Sequence, residues 1–247
     1  MTVQNIFDFL NQKFPTCTAC DFDNVGILVG DKNAVVKKAL IALDCTSITV
    51  DEAVENGCNL IITHHPVIYN PLKNVLKGSI VYKLIENGIS VISMHTNLDI
   101  AEGGVTESLC ATLNPKTLET VTASDGFTLK KCTISPISSD DLADLLKSRL
   151  GGSVKYVPCE NKIENVLFCS GTGGGFIDDA QNFNCDALVT ADVKHSQFLT
   201  AQHYGIALFD AGHFNTEDVV IEPLKELLSK QFEIEFITTH TSLIKSR

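Results

Sequence analysis

The sequence predicts an α/β protein of two interlinked lobes related by an internal duplication, with a metal site between them at strand carboxyl ends. Three observations lead there. From residue 35 onward, short apolar runs alternate with amphipathic stretches, the pattern of strands covered by helices. One stretch of the first half is echoed in the second. Histidines and carboxylates gather just after three of the apolar runs, where open α/β sheets bind ligands.

The first element is a helix, because Val3, Ile6, Phe7, Leu10 and Phe14 recur at helical spacing. Asp8 interrupts the run and no cationic segment precedes it, so it is read as a packed helix and not a secretory leader. Strands are predicted over 36–43, 60–63 and 89–94, with helices over 50–56 and 80–87 between them. A polar, threonine-rich connection through residue 130 marks the lobe boundary, giving 1–125 and 126–247, with the C-terminal elements able to pack back on the first lobe. The second alternation has helices over 140–149, 177–183, 196–203 and 219–228, and strands over 165–169, 187–190, 206–209 and 232–238.

The duplication rests on a gapless alignment of residues 51–65 with 178–192. Asp51 meets Asp178, Ala53 meets Ala180, Cys58 meets Cys185 and Thr63 meets Thr190, with His65 opposite Asp192. One strand later, His95-x-Asn97-x-Asp99 lies over His213-x-Asn215-x-Glu217 when one inserted residue is allowed.

Charge and composition narrow the function classes. A formal net charge of -11 argues against duplex nucleic acid or an anionic membrane as the partner, since either needs clustered Lys and Arg. No apolar run approaches the roughly 20 residues needed to cross a bilayer, and the expected location is the cytoplasm. The nine cysteines are scattered and odd in number, which favours reduced thiols over a disulfide framework. Cys17 and Cys20 have CxxC spacing but lack a second pair to complete a zinc site.

The chemistry-bearing residues are His64 and His65, His95 with Asp99, and His213 with Glu217. Mixed imidazole and carboxylate donors suit zinc, iron, manganese or cobalt, and a two-metal centre needs about this supply. His203 and His240 lack such context and are read as structural or solvent-exposed. Asp44 is placed either to bond a ligand histidine or to cap a helix. Residues 23–26 form a turn or border the site. Residues 171–175 fail the dinucleotide fingerprint because Phe176 takes the final glycine's place, leaving a turn into a helix. Lys194 and His195 follow a strand beside the expected site, as surface residues or as substrate and proton contacts.

Residues 21–30 (D-F-D-N-V-G-I-L-V-G), 61–66 (I-I-T-H-H-P), 94–99 (M-H-T-N-L-D) and 212–217 (G-H-F-N-T-E) together resemble the NGG-interacting-factor-like family, whose members carry the name GTP cyclohydrolase type 2 homologs. The resemblance implies a two-lobed α/β fold, a toroidal homohexamer and a dinuclear metal centre facing an internal cavity. Its ligands would be His64, His65, Asp99, His213 and Glu217, with Glu217 bridging and His95 close by. Many relatives carry an inserted domain midway, for which this chain is too short. The resemblance further implies opening of the guanine ring of GTP with release of formate. Hydrolysis of a phosphoester or nucleotide-like substrate by the same two divalent ions is the rival, with zinc, iron and manganese all compatible. His95 is the first choice for acid/base work and His195 the second. The alternative is a non-catalytic metal-binding ring that engages partner proteins or nucleic acid.

Overall fold

The computed structural model describes residues 1–244 and is of mixed α/β class with two sheets. The chain divides into two compact units: Met1–Ala101 with Ile221–Leu243, and Glu102–Val220. The boundary expected at residue 125 would cut the turn of an antiparallel hairpin, so the division falls after Ala101 instead.

In the first unit, α1 (Val3–Lys13) opens on a reciprocal cap: the Asn5 amide donates to the Thr2 hydroxyl, and the Thr2 amide donates to the Asn5 side chain. The sheet runs β1-β4-β3-β2-β11, comprising β1 (Gly26–Val29), β4 (Ser90–Ser93), β3 (Leu60–Thr63), β2 (Lys38–Ala42) and β11 (Glu235–Thr238). All pairings are parallel except that of β1 with β4. β2, β3 and β4 are buried on both faces, which is why they stand out in the sequence as unbroken apolar runs. Leu40, Ile61 and Val91 pack against Val50 and Ala53 of α2 (Ser47–Glu55) and Leu84 of α3 (Ile80–Glu86). Burying each such side chain is worth about 1.5–3 kcal/mol. α4 (Thr96–Ile100) follows β4 after two residues. At the far end of the chain, α10 (Ile221–Gln231) buries Ile221, Leu224 and Leu228 along one stripe. Phe232 then meets Phe9 of α1 edge-on, with ring centroids 5.3 Å apart.

The second unit begins with α5 (Val105–Ala111), β5 (Thr117–Thr122), β6 (Thr128–Ile137), α6 (Ser139–Leu150) and β7 (Lys155–Val157). It continues through β8 (Ile163–Thr172), α7 (Ile177–Asn182), β9 (Ala187–Ala191), α8 (His195–Tyr204), β10 (Ala207–Asp210) and α9 (His213–Glu217). Its sheet runs β5-β6-β8-β9-β10-β7, with β8, β9 and β10 parallel and the remaining pairings antiparallel. Side chains alternate across it. Val166 and Phe168 join Leu109, Leu142 and Leu146 on one face, while Leu167 and Cys169 join Ile177, Ala180 and Ala201 on the other.

Each unit contains the same run of elements. The order α1-β1-β2-α2-β3-α3-β4-α4 in the first matches α6-β7-β8-α7-β9-α8-β10-α9 in the second, and the sheet orders β1-β4-β3-β2 and β7-β10-β9-β8 correspond. In both, the third parallel strand leads into a short helix, with the His-x-Asn motif at the helix start. Among the described residues no helix is long and apolar enough to cross a membrane.

Candidate metal centre

His64 and His65 continue β3 by one more step of parallel pairing, since their amides donate to the Ala42 and Leu43 carbonyls at 3.3 and 3.0 Å. An extended chain would point the two imidazoles apart. The Thr63 hydroxyl prevents this by donating to the His65 carbonyl at 2.9 Å, which turns the chain and brings the rings to 4.9 Å between centroids. Pro66, without an N–H, ends the pairing.

The ring orientations follow from their partners. Nδ1 of His64 lies 3.0 Å from the Met94 carbonyl, and Nδ1 of His65 lies 2.8 Å from Asp44 Oδ1. Carbonyl and carboxylate oxygens only accept, so each Nδ1 carries a proton, and in the neutral imidazole Nε2 is then the nitrogen with the lone pair. The Nε2 of buried His64 faces Asp99 Oδ1 at 3.6 Å. Asp44 is thus engaged with His65, and the cap of α2 is Thr46.

His95 precedes α4, and its Nδ1 donates to Asp23 Oδ1 at 2.8 Å. Its ring centroid is 5.1 Å from that of His64 and 5.5 Å from that of His65, and a ligand-type atom of each of the three lies within 4.8 Å of the others. Asp99, one helical turn on, is buried. Asp23 accepts further bonds from the Thr96 amide and hydroxyl. Burial alone would raise its carboxyl, but the His95 and Thr96 bonds outweigh that and hold it far below the usual range.

The second unit presents its own pair. Nε2 of His213 is 3.1 Å from Glu217 Oε2 across one turn of α9, and Nδ1 is 2.7 Å from Asp192 Oδ2. Asp192 has φ +53°, a left-handed conformation that Asp tolerates better than most residues, and it also accepts from the Thr172 hydroxyl at 2.8 Å. Burial would raise the Asp192 carboxyl, yet the His213 and Thr172 bonds leave it lowered. The Glu217 bond, opposed by burial and helped by Asp192, raises His213 to about 9. Gly171 lies directly under Glu217, and a Cβ there would strike its Oε1.

The asparagines of the two motifs are structural. The His95 amide donates to Asn97 Oδ1, and Asn97 Nδ2 donates to the Phe14 carbonyl just past α1. Asn215 Nδ2 donates to the Leu150 carbonyl at the end of α6, the matching place in the second unit.

The first unit therefore brings His64, His65, His95 and Asp99 together, and the second joins His213 to Glu217. His195 is exposed at the start of α8 and, among the described residues, belongs to no group of three that could hold an ion. Lys194 donates its amide to Gln197, against which Gly174 packs. His203 lies by Tyr204, and His240 bonds Glu222. All nine cysteines are free thiols, with Cys17 exposed. Sequence reasoning gave residues 23–26 as a turn or a border of the site but did not pair Asp23 with His95, and it missed the support of Asp192 and Gly171. For Asp192 the repeat alignment held a signal, since it placed this aspartate opposite His65.

The model of the family described as Duf34/NIF3 (NGG1p interacting factor 3) matches residues 1–243. A Clostridium acetobutylicum protein named GTP cyclohydrolase 1 type 2 homolog is 32% identical over 246 residues, spanning 94% of this chain and 90% of the relative. A Helicobacter pylori protein named GTP cyclohydrolase 1 type 2 is 32% identical over 224 residues, spanning 87% and 86%. The crystal structure of a Staphylococcus aureus hypothetical protein superimposes with TM-score 0.93 at 28% identity, covering 100% of this chain and 99% of that one.

Proposed function

Because the chain belongs to the Duf34/NIF3 (NGG1p interacting factor 3) family, we propose that it is a metal-dependent hydrolase in which His64, His65, Asp99, His213 and Glu217 would hold two divalent ions, with Glu217 as the ligand that would be shared. One observation carries this reading: His64, His65 and His213 each commit Nδ1 to a fixed oxygen acceptor, the posture that turns Nε2 toward a metal. Three imidazoles and two carboxylates suit zinc, iron or manganese. Asp44 and Asp192 orient their histidines and raise their basicity.

When bound, two such ions supply an acidified water and a polarised electrophile. The chain's own residues do the rest. His95 accepts a proton from the attacking water and returns it to the leaving group, with His195 as a second donor. The substrate class is nucleotide-like, in keeping with the name of the Helicobacter pylori relative. The reaction is opening of a guanine ring with formate release, or hydrolysis of a phosphoester by the same residues. The assembly is a homohexameric ring in the cytoplasm, and the matched element order of the two units supports their origin by duplication.

The test is elemental analysis of purified protein followed by a nucleotide panel scored for formate and phosphate. Two ions per chain are expected, with turnover that Glu217→Gln abolishes. Ions held without turnover on any nucleotide favour the non-catalytic ring, and protein that takes up no ion contradicts the proposal.

A further inference from the structure

We infer that Asp23 is a positioning residue for the acid/base chemistry of this protein, fixing the tautomer of His95 so that Nε2 serves as the base; this inference rests on the hydrolase reading above. Asp23 lies before β1 and reaches His95 across 72 residues of sequence. Its two oxygens collect four donors. Oδ1 accepts from His95 Nδ1 at 2.8 Å and from the Asn24 amide at 2.8 Å, and Oδ2 accepts from the Thr96 amide at 3.0 Å and the Thr96 hydroxyl at 2.6 Å. The Asn24 amide, the Thr96 amide and the Thr96 hydroxyl all donate to it and its side chain is 0% exposed, so three fixed donors hold the group as a carboxylate. His95 consequently keeps its own proton on Nδ1.

The segment that carries Asp23 is held from both sides. The Cys20 amide donates to the Thr96 hydroxyl at 2.9 Å, and Asn24 Nδ2 donates to the Ile68 carbonyl at 2.6 Å in the loop that follows His65. Asp23 is therefore clamped between the start of α4 and the chain leaving the His64–His65 pair. A rigid carboxylate behind an imidazole is what sets tautomer and orientation in a general base, while a surface partner would let the ring turn. The His95 side chain is 18% exposed, so part of the ring meets solvent while Nδ1 is engaged by Asp23.

Substituting Asn for Asp23 makes the site self-contradictory. An amide offers one acceptor oxygen, so either the Thr96 amide or His95 Nδ1 must face its NH₂. The second arrangement drives the His95 proton to Nε2 and removes the base. The conservative control is Thr96→Ser, which keeps the hydroxyl that bonds Asp23.

The experiment is nitrogen NMR of protein labelled in histidine, metal-free and zinc-loaded, with the His95 signal identified by its loss in His95→Gln. Zinc content is measured in parallel. The expected result is a wild-type His95 protonated on Nδ1 and not on Nε2, a signal that Thr96→Ser preserves and Asp23→Asn shifts toward the other tautomer. Zinc content stays at the wild-type level in Asp23→Asn and His95→Gln. On any nucleotide that the wild type turns over, Asp23→Asn lowers kcat by about 10²- to 10⁴-fold. A wild-type His95 carrying its proton on Nε2 overturns the inference without mutagenesis. Loss of an ion in His95→Gln also overturns it, because His95 would then be a ligand. Wild-type protein that binds no zinc but shows the Nδ1 tautomer refutes the hydrolase reading instead, so the two failures are distinguishable.

Discussion

Gly171→Ala tests the geometry beneath Glu217. Gly171 has φ +58°, and a Cβ there would strike Glu217 Oε1 and approach His213 Cε1 at 3.3 Å. Two costs follow. The left-handed backbone costs an alanine roughly 1–2 kcal/mol, equivalent to a fall in Tm of about 2–8 °C at 2–4 °C per kcal/mol for a chain of this size. The collision is the second cost, and it is relieved most cheaply by swinging the Glu217 carboxylate aside, which removes the proposed bridging ligand. Gly88→Ala separates the two, because Gly88 has φ +63° and a methyl group there would meet nothing within 4 Å. Both variants are expected to lose a few degrees by differential scanning calorimetry, and only Gly171→Ala is expected to lose metal by elemental analysis. A Gly171→Ala protein with wild-type metal content would refute the argument that Glu217 must occupy that place.

Asp44→Ala removes the acceptor that orients His65 and should weaken metal affinity about 10- to 100-fold in a competition assay with a chelating dye; unchanged affinity would show that the orientation is set elsewhere. Burial raises the thiols of Cys45 to about 12 and of Cys58 and Cys185 to about 11. Iodoacetamide at pH 8 should therefore label exposed Cys17 in the folded protein and leave those three unmodified, as read by peptide mass mapping. Asp23 is lowered from 3.8, so its stabilising effect is complete above that value and is lost as pH falls through the folded-state value. The Tm advantage of wild type over Asp23→Asn should accordingly be constant from pH 7 to 5 and shrink below pH 3.8. A gap that widens on acidification would reverse the sign assigned to Asp23.

Much of this fold was legible because its central parallel strands are buried on both faces. Leu60–Thr63 and Ala187–Ala191 show as apolar runs whatever they pack against. The β5–β6 hairpin was not legible. Residues 117–122 are mostly exposed and polar, so the strand lacks the apolar alternation that marks a half-buried one, and only its six-pair register with β6 defines it. The three residues of β7 are too few for any pattern. The lobe boundary was misplaced for the same reason, since a polar hairpin passes for a linker.

At the site, the histidines and carboxylates announce themselves because they cluster within a few residues of strand ends. Among their supports, Asp44 is legible because it too lies at a strand end, and the others are not. Asp23 meets His95 across 72 residues and Asp192 meets His213 across 21, and such pairings come from tertiary structure that no local spacing encodes. The His-x-Asn motif carries a second lesson. Its shared asparagine is structural: Asn97 and Asn215 each tie their histidine's turn to the end of a helix, Phe14 after α1 and Leu150 of α6.

The central claim is that five side chains grip two cations, and anomalous diffraction at metal absorption edges tests it most directly. Two peaks per chain are predicted, with His64, His65 and His213 bound through Nε2 at about 2.0–2.1 Å and Glu217 touching both ions. A single ion, ligation through Nδ1, or a peak at Cys17 and Cys20 with none at the histidines would contradict the account.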